Sequence, residues 1–331
     1  MKVLFIGGTG LISTAVSALA VASGIELVLL NRGQRQPLIP TGARLIQADI
    51  RDSGTDRVLA GEHFDVVVDW VAFTPEHARS DVERFSGKTD QFIFISSASV
   101  YQKPPSQHVV TESTPLSNPY WQYSRDKIAC EELLIDAYRR TGFPTTIVRP
   151  SFTYGDTMIP AGLNSWSRPW SLVDRMRRGA SIVVHGDGSS LWTMTHNSDF
   201  AKGFIGLLGN PLALGQAFHI TSDEVLTWDQ IYQIIGRAAG VEPKLVHIAS
   251  DFIAACSPAQ AGGLLGDKTP SLIFDNQKIK RLVPGFQATV SFAEGMRRSV
   301  RWFDAHPEIK TVDQAWNQEM DDILAAYSGS E

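Results

Sequence analysis

Residues 2–13, KVLFIGGTGLIS, decide how the rest of the chain is read. Val3, Leu4, Phe5 and Ile6 form an apolar run too short for a helix. It stops at Gly7, Gly8, Thr9 and Gly10, and an alanine-rich helical pattern follows at once. That order spells a buried strand, a tight turn and a helix start. The turn needs glycine, because a Cβ would block both its backbone angles and the approach of a ligand. The first helical turn leaves amide N–H groups unpaired, and with the helix dipole they attract a phosphate. Gly7, Gly10 and Ser13 have the spacing of a dinucleotide-binding fingerprint, with Ser13 as its third small residue. Taken alone, the same turn also suits a plain strand-to-helix junction in another α/β protein.

Working outward, strands are expected at 26–31, 44–48, 65–71, 91–95 and 145–149. Helices are expected at 11–23, 52–60, 75–85 and 120–140. Strands alternating with helices imply right-handed crossovers and a parallel sheet, with ligands at the carboxyl ends of the strands. The expected fold is therefore α/β, a Rossmann-type doubly wound parallel sheet with a smaller mixed C-terminal lobe. A dinucleotide-binding domain is assigned to 1–155 and a substrate lobe mainly to 156–331, with strands near 182–184 and 217–220 returning to the large sheet. Helices are expected at 228–239 and 292–303, and the polar tail to about 326 reads as helical.

A length of 331 residues, 43% hydrophobic and 20% charged, supports a globular chain with ample core. No apolar run is long enough to span a bilayer and no signal peptide is evident, so a cytoplasmic protein is expected. A net charge of −5 argues against broad nucleic-acid binding. Cys130 and Cys256 have no metal-ligand spacing, and no metal site is expected. His196 and Asp199 read as a hinge or core hydrogen-bonded pair.

Tyr123 and Lys127 stand four apart in YSRDK, on one face of the expected 120–140 helix. An ammonium there favours phenolate and lowers the phenol's pKa, which lets the tyrosine exchange a proton with a substrate hydroxyl. Without context such a pair is more often a surface Tyr and Lys. The context is the glycine turn upstream and the strand end FIFISSASVYQ, where Ser96, Ser97 and Ser99 reach the ligand edge of the sheet. Ser96 and Ser99 are read as satisfying loop backbone groups.

With these three signals the chain resembles the extended short-chain dehydrogenase/reductase family, the NAD(P)-dependent epimerase/dehydratase type. The resemblance runs from residue 1 to about 303. GGTGLIS matches its glycine turn except for Ser13, SSASVY places its catalytic hydroxyl at Ser97, and its Tyr-x-x-x-Lys falls on Tyr123 and Lys127 with Glu131 following. VRPSFTYG and HNSDFAKGFIGLL resemble its later segments. The resemblance implies hydride transfer at a sugar or other carbonyl or hydroxyl substrate. Tyr123 would be the acid/base, Lys127 would tune it and hold the nicotinamide ribose, and Ser97 would orient the reacting oxygen. It also implies cofactor contacts from Gly7, Gly8, Thr9, Gly10, Leu11 and Ile12, and from Asn31, Arg32, Asp49, Ile50, Val71 and Ala72. A homodimer pairing through the Tyr123 helix is implied as well, with Ile128, Leu133, Leu134 and Tyr138 as its apolar surface.

A carboxylate at the end of the second strand would grip the ribose hydroxyls and repel a 2′-phosphate. Here Asn31 and Arg32 stand there with Arg35 near, so NADP(H) is favoured and NAD(H) is the alternative. Nucleotide-sugar members carry an arginine where GDGSSLWTMTH has Trp192, which weakens the expectation of a diphosphate substrate. Arg168 and Arg175 are the candidate replacements, but both read rather as charges on a solvated helix face. Trp166, Trp170 and Trp192 either wall the substrate or pack the lobe, and Tyr101 and Tyr120 are candidates for the same cleft. Two readings stand. One is an epimerase or reductase of small molecules, dehydration being disfavoured by Ala98 and Ser99 beside the hydroxyl. The other is a non-catalytic NAD(P)-binding regulator or RNA-binding protein of the atypical branch, whose GGTG-x-IS turn and following NRG this chain also shares.

Overall fold

The computed structural model describes residues 1–329. The last two residues of the stretch assigned to 156–331 therefore lie outside the described residues. The first half alternates as expected: β1 (Lys2–Ile6), α1 (Ser13–Ala22), β2 (Glu26–Asn31), β3 (Arg44–Gln47), α2 (Thr55–Val58), β4 (Phe64–Asp69), α3 (Pro75–Phe85) and β5 (Thr89–Ile95). After the short β6 (Val109–Val110) come α4 (Gln122–Thr141), β7 (Thr145–Pro150), β8 (Phe152–Tyr154), α5 (Ser171–Arg177), β9 (Ser181–His185), β10 (Leu191–Trp192), β11 (Met194–His196), α6 (Asn197–Ile205) and β12 (Ala217–Ile220). Next are β13 (Leu226–Thr227), α7 (Trp228–Ala239) and β14 (Lys244–Ile248).

Seven strands form one parallel sheet in the order β12-β7-β5-β4-β1-β2-β3. The chain runs outward from β1 in both directions, so the strand order reverses between β1 and β4. An open α/β sheet parts its loops at such a point and leaves a crevice for a ligand. Helices cover both faces, which is why β1 is apolar at successive positions rather than alternate ones. Val3 and Phe5 pack with Val16 of α1 and with Phe200 and Phe204 of α6. Leu4 and Ile6 pack on the other side with Phe92, Phe94, Cys130 and Leu134.

Two strand expectations change. The fourth strand stops at Asp69 rather than 71, because its Oδ1 accepts the N–H groups of Val71 (2.5 Å) and Ala72 (2.8 Å) and turns the chain. Of the two strands expected to return to the large sheet, only β12 does so, pairing with β7 from Ala217↔Ile147 to Ile220↔Pro150. The strand at 182–184, within β9, pairs instead with β14. β12 occupies the edge beside β7, and Ile182, Val183 and Val184 are buried in a separate core with Leu172, Trp192, Trp228 and Ile231. This lobe core sits over the carboxyl ends of the sheet strands.

Candidate active site

A cavity of about 810 Å³ runs along those carboxyl ends, within the usual range of small-molecule sites. Its floor at one end is the turn after β1. Gly7 and Gly8 have φ of 101° and 83°, which side-chain-bearing residues rarely adopt. A Cβ on Gly8 would also come within 2.6 Å of Leu29 Cδ2. Side chains brace this turn from behind: Ser17 Oγ donates to the Gly8 carbonyl (2.8 Å), and the Gly10 N–H donates to Ser13 Oγ (2.8 Å). Asn31 spans the gap to the next loop, donating to the Gly7 carbonyl (3.0 Å) and accepting from the Gly33 N–H (2.9 Å). Asn31 is thus occupied in holding the loop that presents Arg32.

The sequence-predicted residues converge. The turn from 7 to 12, Asn31, Arg32, Asp49, Ile50, Val71, Ser97, Tyr123 and Lys127 all line the one cavity. Ala72 is buried beneath it and contributes its carbonyl, which accepts from Lys127 Nζ at 2.7 Å. The Ile95 carbonyl accepts from the same ammonium at 2.7 Å. Lys127 is therefore fixed between the ends of β4 and β5. α4 is itself anchored to β7 by a buried two-pronged pair, Arg149 Nε to Glu131 Oε1 (3.0 Å) and Nη2 to Oε2 (2.5 Å). That clamp sets the helix that carries Tyr123.

The electrostatics of the pair differ from expectation. Burial pushes the Tyr123 phenol up to about 12, with the Ser97 hydroxyl pulling it the other way. Lys127 Nζ lies 5.8 Å from the centre of the Tyr123 ring, and burial brings its own pKa down to about 8. Desolvation of the phenol, and not the ammonium, sets the direction of its shift. Ser99, expected only to satisfy its loop, does more. Its hydroxyl accepts from Ser124 (2.8 Å) and meets Ser97 Oγ at 2.9 Å, so a chain of hydroxyls leads from within α4 to the phenol. Ser96 Oγ is buried without a hydrogen-bond partner, so its hydroxyl does not serve the loop backbone either.

Residues 81–220 match the NAD dependent epimerase/dehydratase family. Among curated relatives, 2′-dehydrokanamycin reductase of Streptomyces kanamyceticus is 26% identical, over 87% of this chain and 80% of its own length. Chloroplast stem-loop binding protein of 41 kDa b of Arabidopsis thaliana is 27% identical, over 74% of this chain and 65% of its own length. Among solved structures, UDP-glucuronic acid 4-epimerase from Bacillus cereus, in complex with NAD, superposes with a TM-score of 0.73 at 20% identity, covering 96% of this chain and 100% of that one.

Against this family frame several expectations need correction. Trp192, at the position expected for a diphosphate-binding arginine, is 1% exposed and stacks on Trp228 within the lobe core, reaching the cavity only at its wall. Neither candidate replacement reaches the cavity: Arg168 donates to the Val312 carbonyl, and buried Arg175 pairs with Asp321. Trp170 packs on Phe303, whereas Trp166 lines the mouth, stacked on Phe152 at 5.4 Å. Tyr101 is fully buried and bonded to His219, and Tyr120 lies on the outer surface away from the lining. His196 and Asp199 do not pair with each other. His196 meets Asp156 and Ser198, while Asp199 accepts from the N–H groups of Thr289 and Val290.

Sequence reasoning missed three charged residues in the lining: Arg51, Asp267 and Lys268. Arg51 follows the predicted Asp49 by two positions and donates to the Val71 carbonyl (2.9 Å), a proximity that DIRD hinted at. Asp267 and Lys268 lie far along the chain, on a π-helical turn (Leu264–Lys268) that no periodicity announces. Also unforeseen is Asp81 of α3, fully buried beside Asp69, with its carboxyl pushed well up by burial and by that neighbour.

Proposed function

We propose that this protein is an NAD(P)-dependent oxidoreductase-type enzyme, a reductase or epimerase, working at a carbonyl or hydroxyl carbon of a sugar-like ring. The observation that carries the reading is the gathering of Ser97, Tyr123 and Lys127 in the same cavity as the glycine turn. The residues fit a dinucleotide: Gly7 and Gly8 hold a positive φ that keeps the turn tight and free of side chains, and the start of α1 presents free N–H groups to a pyrophosphate. The nicotinamide supplies or takes up the hydride when bound. Gly7 to Ile12 would hold the pyrophosphate, Asp49 and Ile50 the adenine, and Val71 and Ala72 the inner wall.

Each protein group then has one task. Ser97 donates to the reacting oxygen and orients it. The Tyr123 hydroxyl gives its proton to that oxygen in reduction, or takes it back in oxidation. The Ser97–Ser99–Ser124 chain steadies the phenol, and Lys127 holds the ribose. NADP(H) is favoured because Arg32 and Arg35 stand exposed at the adenosine end, where a 2′-phosphate would accept from guanidinium groups. NAD(H) remains the alternative, since the Bacillus cereus epimerase is in complex with NAD.

The name of the Streptomyces relative favours reduction of a ring ketone. The Arabidopsis relative favours a second reading, nucleic-acid binding without turnover, which leaves the Ser97–Tyr123–Lys127 grouping without a task. The test is NADPH oxidation with a keto-aminoglycoside and a keto-cyclitol, alongside conversion of UDP-galactose with tightly held cofactor. Tyr123→Phe is expected to lower turnover by about 10²–10⁴-fold with cofactor affinity unchanged. Unchanged turnover in Tyr123→Phe would sink the catalytic reading, and salt-sensitive binding of a stem-loop RNA in its place would establish the other. A homodimer is part of the same proposal. Leu134 is spent against the sheet, so Ile128, Leu133 and half-exposed Tyr138 would form the contact, and monomeric elution on sizing would overturn it.

A further inference from the structure

The two ends of the cavity are charged in different ways. Arg32, Arg35, Arg51 and Asp49 stand at the adenosine end. Past Tyr123 the charged residues in the lining are Asp267 and Lys268, consecutive on the π-helical turn.

That turn is held firmly. Asn118 Nδ2 donates to the Gly266 carbonyl (2.6 Å) and to the Ser99 carbonyl (2.8 Å), tying the turn to the loop that carries Ser97. A Cβ on Gly266 would come within 2.9 Å of Asn118 Oδ1 and 3.0 Å of Trp121 Cβ. From behind, Trp228 Nε1 (3.0 Å) and His185 Nε2 (3.2 Å) both donate to the Lys268 carbonyl. The two side chains are thus placed by a rigid frame, yet both are short of partners. Asp267 accepts no hydrogen bond and forms no ion pair among the described residues, although its surroundings are largely desolvated. Lys268 is 8% exposed, and its ammonium has one long bond, 3.4 Å to the Gly263 carbonyl. Charged groups so short of partners, Lys268 buried and Asp267 partly open to the cavity, are costly unless something completes them.

An acceptor beside a donor, both under-bonded, matches two neighbouring hydroxyls: one gives its proton to the carboxylate, the other accepts from the ammonium. A diphosphate would meet one ammonium and a repelling carboxylate, with the buried Lys103 further off and no arginine past Tyr123 in the lining. Phe152 and Trp166, stacked at the mouth, offer a flat apolar surface for the C–H face of a ring. We propose that Asp267 and Lys268 read adjacent hydroxyls of an uncharged polyol ring, a sugar or cyclitol without a diphosphate. The ring lies along Phe152 and Trp166 with its reacting carbon at Tyr123.

The assignment rests on the active-site reading above, so its test is an equilibrium measurement independent of turnover. The full-length protein, saturated with NADP⁺ or NAD⁺, is titrated calorimetrically with myo-inositol, methyl α-D-glucopyranoside, UDP-glucose and UDP. An uncharged ring is expected to bind more tightly than UDP. Asp267→Asn and Lys268→Met should each weaken that binding at least tenfold, with cofactor affinity within twofold of wild type. Lys268→Arg, which keeps a donor, should recover most of the loss. Tighter binding of UDP-glucose and UDP than of either uncharged ring, no binding of either ring, or ring binding indifferent to both substitutions would overturn the proposal. A failure of the catalytic reading shows elsewhere, as turnover that survives Tyr123→Phe.

Discussion

One cavity joins two regions built on different principles. The end proposed for the cofactor is made by backbone: two glycines at positive φ, the free N–H groups of a helix start, and carbonyls fixed by strand ends. The end proposed for the substrate is made by side chains delivered from segments far apart, with Ser97, Trp121, Phe152, Trp166 and Asp267 coming from five separate stretches. Backbone geometry is dictated locally, so a short run of sequence spells it out. Side-chain convergence depends on long-range packing, which a chain read in order does not display.

The sharpest way to break this contrast is to put a methyl group where the cofactor end needs none. Gly8→Ala places a Cβ at φ 83°, 2.6 Å from Leu29 Cδ2, in a sheet packed on both faces. Strain at the backbone and overpacking of the core together cost about 2–6 kcal/mol. Urea unfolding should register that loss, and dinucleotide binding should fall beyond detection. The equivalent insult at the substrate end, Thr153→Val in the lining, should leave dinucleotide affinity where it was. If both substitutions weaken the dinucleotide alike, the two ends are not separable.

The adenosine end is the exception within its half, since it depends on side chains. The Arg32 guanidinium makes no hydrogen bond or ion pair among the described residues, and that of Arg35 makes a long bond to the Thr9 carbonyl (3.3 Å). Arg32→Ala and Arg35→Ala should each lower NADP⁺ affinity about tenfold, the scale of an exposed charge-assisted bond. NAD⁺ affinity should be unchanged. Equal losses for both dinucleotides in equilibrium titrations would assign these arginines to the adenine or the pyrophosphate instead.

Beneath the cofactor end the backbone is itself held by a buried acid. Asp69 fixes the N–H groups of Val71 and Ala72, Ala72 in turn holds Lys127, and Asp81 stands against Asp69 with both oxygens buried and unpartnered. Burial and the neighbouring carboxylate push the Asp81 carboxyl well up, while Arg51 and Arg84 oppose them and His77 and Lys127 add charge nearby. The sign follows from the raised pKa. Above the ordinary carboxylate range the unfolded chain releases this proton and the folded chain keeps it, so stability falls as pH rises through that window. Asp81→Asn removes the titration. Its stability relative to wild type should climb between about pH 4 and 7, measured by urea unfolding at a series of pH values. A difference independent of pH would mean that Asp81 is ionised in the fold.

These contrasts explain what was legible. The glycine turn, the strand order it implies and the Tyr123–Lys127 spacing are local patterns, and the fold places all of them in one cleft. The exchange of β9 for a lobe pairing was not legible, because an apolar run such as Ile182–Val184 suits either sheet. Asp69 stands at a strand end, but its partner Asp81 lies on a helix twelve residues on and becomes visible only when α3 packs down. Asp267 and Lys268 carry no motif. Their meaning comes from Asn118, 148 residues from Gly266, which ties their turn to the serine loop.

The smallest expected effect tests the outermost part of the substrate end. Trp166 is 63% exposed, so it contributes little to the lobe core, and its one ring contact is with Phe152 at 5.4 Å and 25° between planes. Little of its apolar surface is committed to the fold. If it serves as a platform for a ring, Trp166→Ala should weaken ring binding about threefold to tenfold, the range of one stacking contact. Thermal stability should move by less than a few degrees, and dinucleotide affinity should hold. Trp166→Phe keeps a flat surface and should restore most of the loss. A drop in stability as large as that for Trp192→Ala, whose indole is sealed in the lobe core, would mean that Trp166 packs the lobe and that the ring platform belongs to Phe152 alone.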